Sequence, residues 1–327
     1  MSSGNGSAVE PAARLARSRV VITRANGHMA RLVAERLGRL QQYHVVGIGA
    51  GRLPDPSAAM EYHQLDSPVD PVGAILRHRD VEAVIDLGAP EAPDRLGDDS
   101  RVHDALDTAR LLDACVTHSV RKVIVLSSAS VYGPRPENTQ FLREDAPLRA
   151  SPAYAWMRDT IDIDAAASSF MQTTTDIAVT ILRPVHILGR LRSAASNYLR
   201  RPIIPTLLGF DPMMQVIHEQ DVAEVIACAL SRDTRGIYNV TGPGQIPLSV
   251  IIRELGRRRM PIPHLLAGPL WRLAVGRAGK ADRSRAGDSM LEADFVRFVC
   301  MVDGSRARAE LGFQPRFGLR ESIRAVD

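Results

Sequence analysis

Cysteine is nearly absent from this chain of 327 residues, which has Cys115, Cys228 and Cys300 and no others. Three widely separated thiols exclude a disulfide framework, and their apolar settings suit buried, reduced side chains in a reducing compartment. Nor is there a dominant sign of charge. Lysine and arginine number 41 against 37 acidic residues, a formal net charge of +4 that is mixed along the chain. That describes a solvated surface before a nucleic-acid footprint, and no nucleic-acid partner is expected. No run approaches the roughly 20 apolar residues of a membrane-spanning helix. The nearest, Leu265 to Val275, is short and is followed by Arg277, Lys280, Arg283 and Arg285. This pattern suits peripheral contact with a membrane surface as well as an amphipathic helix inside a lobe. A metal-binding helix is missing too: His218-Glu219-Gln220-Asp221-Val222 has valine where a second histidine is required, so no metal is expected. The first 18 residues carry no apolar run of signal-peptide type and read as a disordered leader, which makes the cytoplasm the expected location.

What the chain does have is a succession of short apolar runs alternating with helical periodicity. Val20-Val21-Ile22 reads as a strand, and beyond Gly27 the residues Met29, Leu32, Val33, Leu37 and Leu40 follow a helical stripe. Tyr43 to Ile48 and Val81 to Leu87 read as strands. Val102 to Val116 reads as a helix with Val102, Leu106, Ala109, Leu112 and Val116 on one face. Val123 to Leu126 and Val179 to Leu182 are again short apolar strands. Runs of this kind, bounded by turns and alternating with helices, imply an α/β fold with a doubly wound parallel sheet covered on both faces. Beyond Arg183 prolines break the chain into shorter pieces, which marks a smaller C-terminal lobe. There Asp221 is expected to cap a helix from Val222 to Leu230, and Gly236 to Val240 to return to the sheet as a strand.

Two local patterns carry chemistry. Tyr154 and Arg158 stand four apart in a helical segment, so a phenol and a fixed cation share one helical face. A free phenol has a pKa near 10 and is a poor base at neutral pH unless a cation stabilises its phenolate. Ser128, just past the Val123 to Leu126 strand, can bring a hydroxyl to the same place. Each also has an ordinary reading: a strand-end hydroxyl satisfying local backbone, a buried helix residue and a surface cation. The second pattern is the turn Thr23-Arg24-Ala25-Asn26-Gly27-His28-Met29-Ala30 between the first strand and the first helix. A glycine-bearing turn at a helix N-terminus presents backbone N–H groups and a favourable dipole to an anion.

Together these residues resemble the extended short-chain dehydrogenase/reductases, the family of NAD-dependent epimerases and dehydratases. That family has a Ser, Tyr-x-x-x-Lys centre and a Thr-Gly-x-x-Gly-x-x-Gly turn. Thr23 and Gly27 match, Ala30 is a small residue at the helix-packing position, Arg24 replaces the first glycine and Arg158 replaces the lysine. The resemblance extends through Leu182-Arg183-Pro184, Ile217-His218, Asp221-Val222, Tyr238-Asn239-Val240 and Leu311-Gly312-Phe313-Gln314-Pro315. It implies a Rossmann domain over 19–183 and a substrate lobe over 184–327 interleaved with the sheet.

By the same resemblance, Ser128, Tyr154 and Arg158 are the catalytic residues. Cofactor contacts fall to Thr23, Arg24, Asn26, Gly27, His28, Met29, Arg52, Asp66, Leu87, Gly88, Tyr154, Arg158 and Pro184. The cofactor is NADP or NAD. Gly49 stands where NAD-preferring members carry an acid, and nearby Arg52 favours NADP unless it is a solvated loop residue. Arg24 either obstructs the turn or meets the phosphates. His186 and Met214 replace an asparagine and an arginine that hold the diphosphate of nucleotide sugars. The expected activity is therefore oxidation or reduction of a hydroxyl or ketone on a small molecule other than a nucleotide sugar. Two alternatives stay open: a non-catalytic dinucleotide- or ligand-binding protein, and a nucleotide-sugar epimerase or dehydratase. A homodimer is in keeping with the family.

Overall fold

Hydrophobic strands of five to seven residues, too apolar to have a solvated face, set the architecture. In a computed structural model the residues described are 18–49, 53, 59–64, 73, 76–77, 81–88, 105–151, 155–263, 271 and 291–326. β1 (Ser18–Ile22) leads into α1 (His28–Leu40), then β2 (Tyr43–Gly49), β3 (Glu61–Gln64), β4 (Val81–Asp86), α2 (Ala105–Thr117) and β5 (Lys122–Leu126). A 3₁₀ turn at Ala129–Tyr132 precedes α3 (Ala155–Thr173) and β6 (Ala178–Pro184). Next come β7 (His186–Leu188), α4 (Ala194–Leu199), β8 (Ile203–Leu207), β9 (Met213–Met214), β10 (Val216–His218) and α5 (Glu219–Leu230). The chain then forms β11 (Gly236–Val240), β12 (Ile246–Pro247), α6 (Leu248–Glu254), β13 (Arg258–Ile262), a 3₁₀ turn at Ala293–Val296, α7 (Ser305–Leu311) and α8 (Leu319–Arg324).

Among the described residues the main sheet has seven strands in the order β11-β6-β5-β4-β1-β2-β3, and all its pairings are parallel. Successive residues of each strand face opposite sides. Val20, Ile22, Ala83, Ile85, Ile124 and Leu126 pack with α1 and α5 on one side. Val21, Val84, Val123 and Val125 pack with α2 and α3 on the other. A third core belongs to the C-terminal elements: Ile204, Leu207, Met214, Ile251, Ile252, Trp271, Leu291 and Phe295. No helix among the described residues is long and apolar enough to cross a membrane.

Two expectations from sequence are corrected. The inward stripe of α2 is Thr108, Leu111, Leu112 and Cys115, whereas Val116 is 51 % exposed. The helix is rotated because the Thr108 hydroxyl turns inward to donate to Asp86 Oδ2 at 3.2 Å. α5 starts before Val222: His218 is its N-cap, its Nδ1 accepting from Gln220 N at 3.1 Å. Asp221 instead accepts from the backbone N–H groups of Arg316 (2.9 Å) and Phe317 (3.3 Å), tying a distant loop to the helix. The apolar residues of the lobe divide in two: Ile204, Leu207, Met214 and Trp271 are core, while Ile203 and Leu208 face solvent.

Candidate functional site

The chain leaves β1 toward β2 and β3 and then crosses back to β4 on β1's other side. Such a reversal opens a crevice at the C-terminal ends of the two central strands, where doubly wound folds bind ligands. Here a fully buried acid closes the floor of that crevice. Asp86, at the end of β4, accepts from Thr23 Oγ1 at 2.7 Å and from Gly88 N at 3.3 Å. Leu87 N in turn donates to Thr23 Oγ1 at 3.2 Å. Thr23 is thus a structural clasp between strands, and its hydroxyl is already engaged. Asp86 was missed in the sequence, although a lone acid closing the apolar run Val81 to Leu87 was the available signal.

Above the floor, Arg24 adopts φ +52°, the left-handed region that a side chain makes unfavourable. This is the position of the family's first glycine, so the turn keeps its glycine geometry with arginine in place. Gly27 N donates to Arg24 O at 2.9 Å and Ala25 N to Ile48 O at 3.0 Å. Gly27 then caps α1 with extended backbone and no side chain, and the first turn of α1 contains no acid. No side chain caps the helix N-terminus and its own first turn adds no negative charge, so its N–H groups suit an anion. Gly88 also sits at φ +52°, and a Cβ there would lie 2.0 Å from Leu126 O. Only glycine lets β4 and β5 diverge this tightly.

The rim is polar. His28 Nε2 meets Glu219 Oε1 at 3.0 Å while its Nδ1 receives Arg31 Nη2 at 3.2 Å, an arrangement that assigns the ring proton to Nε2. Burial raises the Glu219 pKa, but hydrogen bonds from His28 and Leu191 N outweigh it and hold the carboxyl below its ordinary range. At the end of β2, a Cβ on Gly49 would stand 3.0 Å from Asn26 Oδ1 and 3.2 Å from Tyr62 Oη. Asn26 and Tyr62 therefore occupy the space where an acid at position 49 would have to fit.

Ser128 lies at the exit of β5, its Oγ accepting from Ser130 N at 3.1 Å as the N-cap of the 3₁₀ turn. Pro184 is buried at the end of neighbouring β6. The structure thus gathers Thr23, Arg24, Gly27, His28, Leu87 and Gly88 around the β1/β4 crevice, with Asn26 beside Gly49, whereas the Met29 side chain is buried in the core. Arg158 is exposed on α3, and Tyr154, Arg52 and Asp66 lie outside the described residues.

Beneath Ser128 is a buried polar network that the sequence did not reveal. Arg183 forms a two-pronged bond to Asp164 (Nε to Oδ2 2.8 Å, Nη2 to Oδ1 2.6 Å). Ser127 Oγ donates to the same carboxylate at 2.6 Å. Arg183 Nη1 donates to Tyr132 Oη at 2.8 Å, and Tyr132 donates on to Asn239 Oδ1 at 2.8 Å. These partners come from α3, β6, β11, the 3₁₀ turn and, with Ser127, the residue just past β5. The network therefore fixes the Ser128 turn against the helix that carries Arg158.

A profile of the NAD dependent epimerase/dehydratase family matches residues 20–241, and the chain belongs to that family. Uncharacterised proteins of Mycobacterium tuberculosis and Mycobacterium bovis are each 28 % identical over 261 residues, covering 77 % of this chain. The chain spans 66 % of the length of these relatives. Among solved structures, MoeE5 in complex with UDP-glucuronic acid and NAD has a TM-score of 0.68 at 22 % identity, covering 94 % of this chain and 97 % of that one. The UDP-glucuronic acid 4-epimerase of Bacillus cereus, in complex with UDP-glucuronic acid and NAD, has a TM-score of 0.69 at 18 % identity with the same coverage. These likenesses show the epimerase/dehydratase fold.

Proposed function

We propose that the protein binds a nicotinamide dinucleotide, NADP(H) in preference to NAD(H), and oxidises or reduces a hydroxyl or ketone on a small molecule other than a nucleotide sugar. The observation that carries this reading is Arg24 held at φ +52°. Strain kept at the strand-to-helix turn, where doubly wound folds bind ligands, is read as strain kept for a use. The close approach of Gly88 to Leu126 O and the lack of a side-chain cap on α1 support a pyrophosphate held in this crevice. Such a cofactor, when bound, gives or takes a hydride. The Arg24 guanidinium and the N–H groups at the start of α1 hold its phosphates. Gly49 leaves no acid to bind a ribose hydroxyl pair, which favours a ribose carrying a phosphate.

For the reaction, Ser128 hydrogen-bonds the substrate oxygen and Tyr154 exchanges the hydroxyl proton. Arg158, a permanent cation four residues on in the sequence, stabilises the phenolate. Nucleotide sugars are disfavoured by the two diphosphate positions of the lobe. Met214 is buried in its apolar core, and burial pushes the His186 imidazole down to about 4, so it is neutral at physiological pH. Neither can offer a cation to a diphosphate.

Calorimetric titration with NADPH and NADH tests the reading. Binding is expected for both, tighter for NADPH. No heat with either at millimolar concentration removes the dinucleotide reading, and tighter NADH binding removes the preference.

A further inference from the structure

Among the described residues, Glu292 is the one buried carboxyl with an oxygen, Oε1, that no hydrogen-bond donor reaches. The residue is 4 % exposed. A carboxylate oxygen kept dry and unpaired is costly, and such groups concentrate where a ligand is met or refused. Its surroundings place it at the lobe. Glu292 opens the 3₁₀ turn, its carbonyl accepting from Phe295 N at 3.0 Å. Phe295 packs edge-on against His186 with ring centroids 5.5 Å apart. Leu291, Phe295 and Met214 share one apolar cluster.

The same segment runs along the Ser128 turn. Asn138 Nδ2 donates both to Gly133 O at 2.8 Å and to Val299 O at 3.3 Å. Glu292 therefore opens the segment that meets His186 through Phe295 and the Ser128 turn through Val299; His186 is one of the two positions that correspond to diphosphate contacts in nucleotide-sugar enzymes. The charged groups that act on it are Asp294 of its own turn and Arg135 from the loop beyond Gly133. His186 stays neutral above about pH 4 and supplies no counter-charge.

We propose that Glu292 is a specificity-determining residue: its carboxylate refuses anionic phosphate ligands at the lobe and leaves the site to neutral or cationic polar substrates. The proposal rests on the substrate reading given above. Its physical basis is that like charge in a dry site discriminates against a partner more sharply than a missing attraction does. Burial, and then Asp294, push the Glu292 carboxyl up to about 7, so its charge is switched over an accessible pH range.

The test uses the full chain and UDP-glucose as probe, because its diphosphate keeps its charge across that range. Calorimetric titration compares wild type and Glu292→Gln at about pH 5.5 and about pH 8.5. Wild type is expected to bind about tenfold or more weakly at the higher pH, and Glu292→Gln to bind equally at both, like low-pH wild type. If the variant fails to fold, the wild-type pH comparison alone decides. Equally weak binding in every case overturns the role of Glu292 and leaves the substrate reading standing. Tight binding by wild type at the higher pH overturns both. NADPH titrated in parallel reports separately on the dinucleotide reading.

Discussion

Replacing Arg24 by glycine separates the fold of the cofactor turn from its binding chemistry. In the left-handed region at φ +52°, a side-chain residue carries roughly 1–2 kcal/mol of strain that glycine does not. Glycine, however, gives the unfolded chain more freedom, which costs about 0.4–1 kcal/mol. The difference is a stabilisation of about 0–1.5 kcal/mol in the free protein, or at most a few degrees in Tm for a chain of this size. Binding should move the other way. Removing one charge-assisted contact to a phosphate costs about 1.5–3 kcal/mol, so NADPH affinity should fall roughly tenfold to a hundredfold. Arg24→Lys, which keeps the charge and the strain, should retain most of the affinity with no gain in stability. Thermal unfolding and calorimetry on the three proteins measure both quantities. Should Arg24→Gly bind NADPH as tightly as wild type or more so, Arg24 is an obstruction in the turn and its proposed contact with the phosphates is wrong.

Gly88→Ala, whose Cβ would lie 2.0 Å from Leu126 O, should destabilise the fold by about 3 kcal/mol or more, read as a lowered urea midpoint; an unchanged midpoint would mean β4 and β5 separate freely. Arg183→Met strands the buried Asp164 carboxylate and should cost about 3–5 kcal/mol, while adding Asp164→Asn should restore much of it. Because the Glu292 carboxyl rises from 4.5 to about 7 on folding, the folded state binds the extra proton between these values. Stability from this group is full below 4.5 and is lost as pH climbs through about 7. Glu292→Gln should remove about 3 kcal/mol of that pH dependence, and an identical wild-type slope in the variant would refute the assignment. For catalysis, Tyr154→Phe should abolish nicotinamide-linked turnover of alcohols and ketones while sparing cofactor binding. Arg158→Lys should preserve or raise the rate; its loss would make the arginine a specific adaptation.

The sequence by itself determined the layered α/β fold, because apolar strands with no solvated face can only be buried between helices. Val20 to Ile22, Val81 to Leu87 and Val123 to Leu126 announced the strands, and Met29, Val33 and Leu37 the inner face of α1. It also located the glycine turn, since Thr23, Gly27 and the stripe after them are local features. What depends on groups far apart in the chain was decided only by tertiary structure. Thr23 and Asp86 are 63 residues apart and form one clasp; Arg183 joins Tyr132, Asp164 and, through Tyr132, Asn239; Glu219 reaches back to His28 across 191 residues. No periodicity encodes such pairings, because a hydrogen bond depends on where side chains meet in space. The helix starting at Glu219 shows the same limit on a smaller scale. Asp221 had the chemistry of a cap, but the backbone of Arg316 and Phe317 claimed its carboxylate, and His218 capped the helix instead. Position 292 shows it most fully: a glutamate in sequence is a charge like any other, and only burial beside Leu291 and Phe295, with Oε1 out of reach of any donor, makes it an acid able to select a ligand.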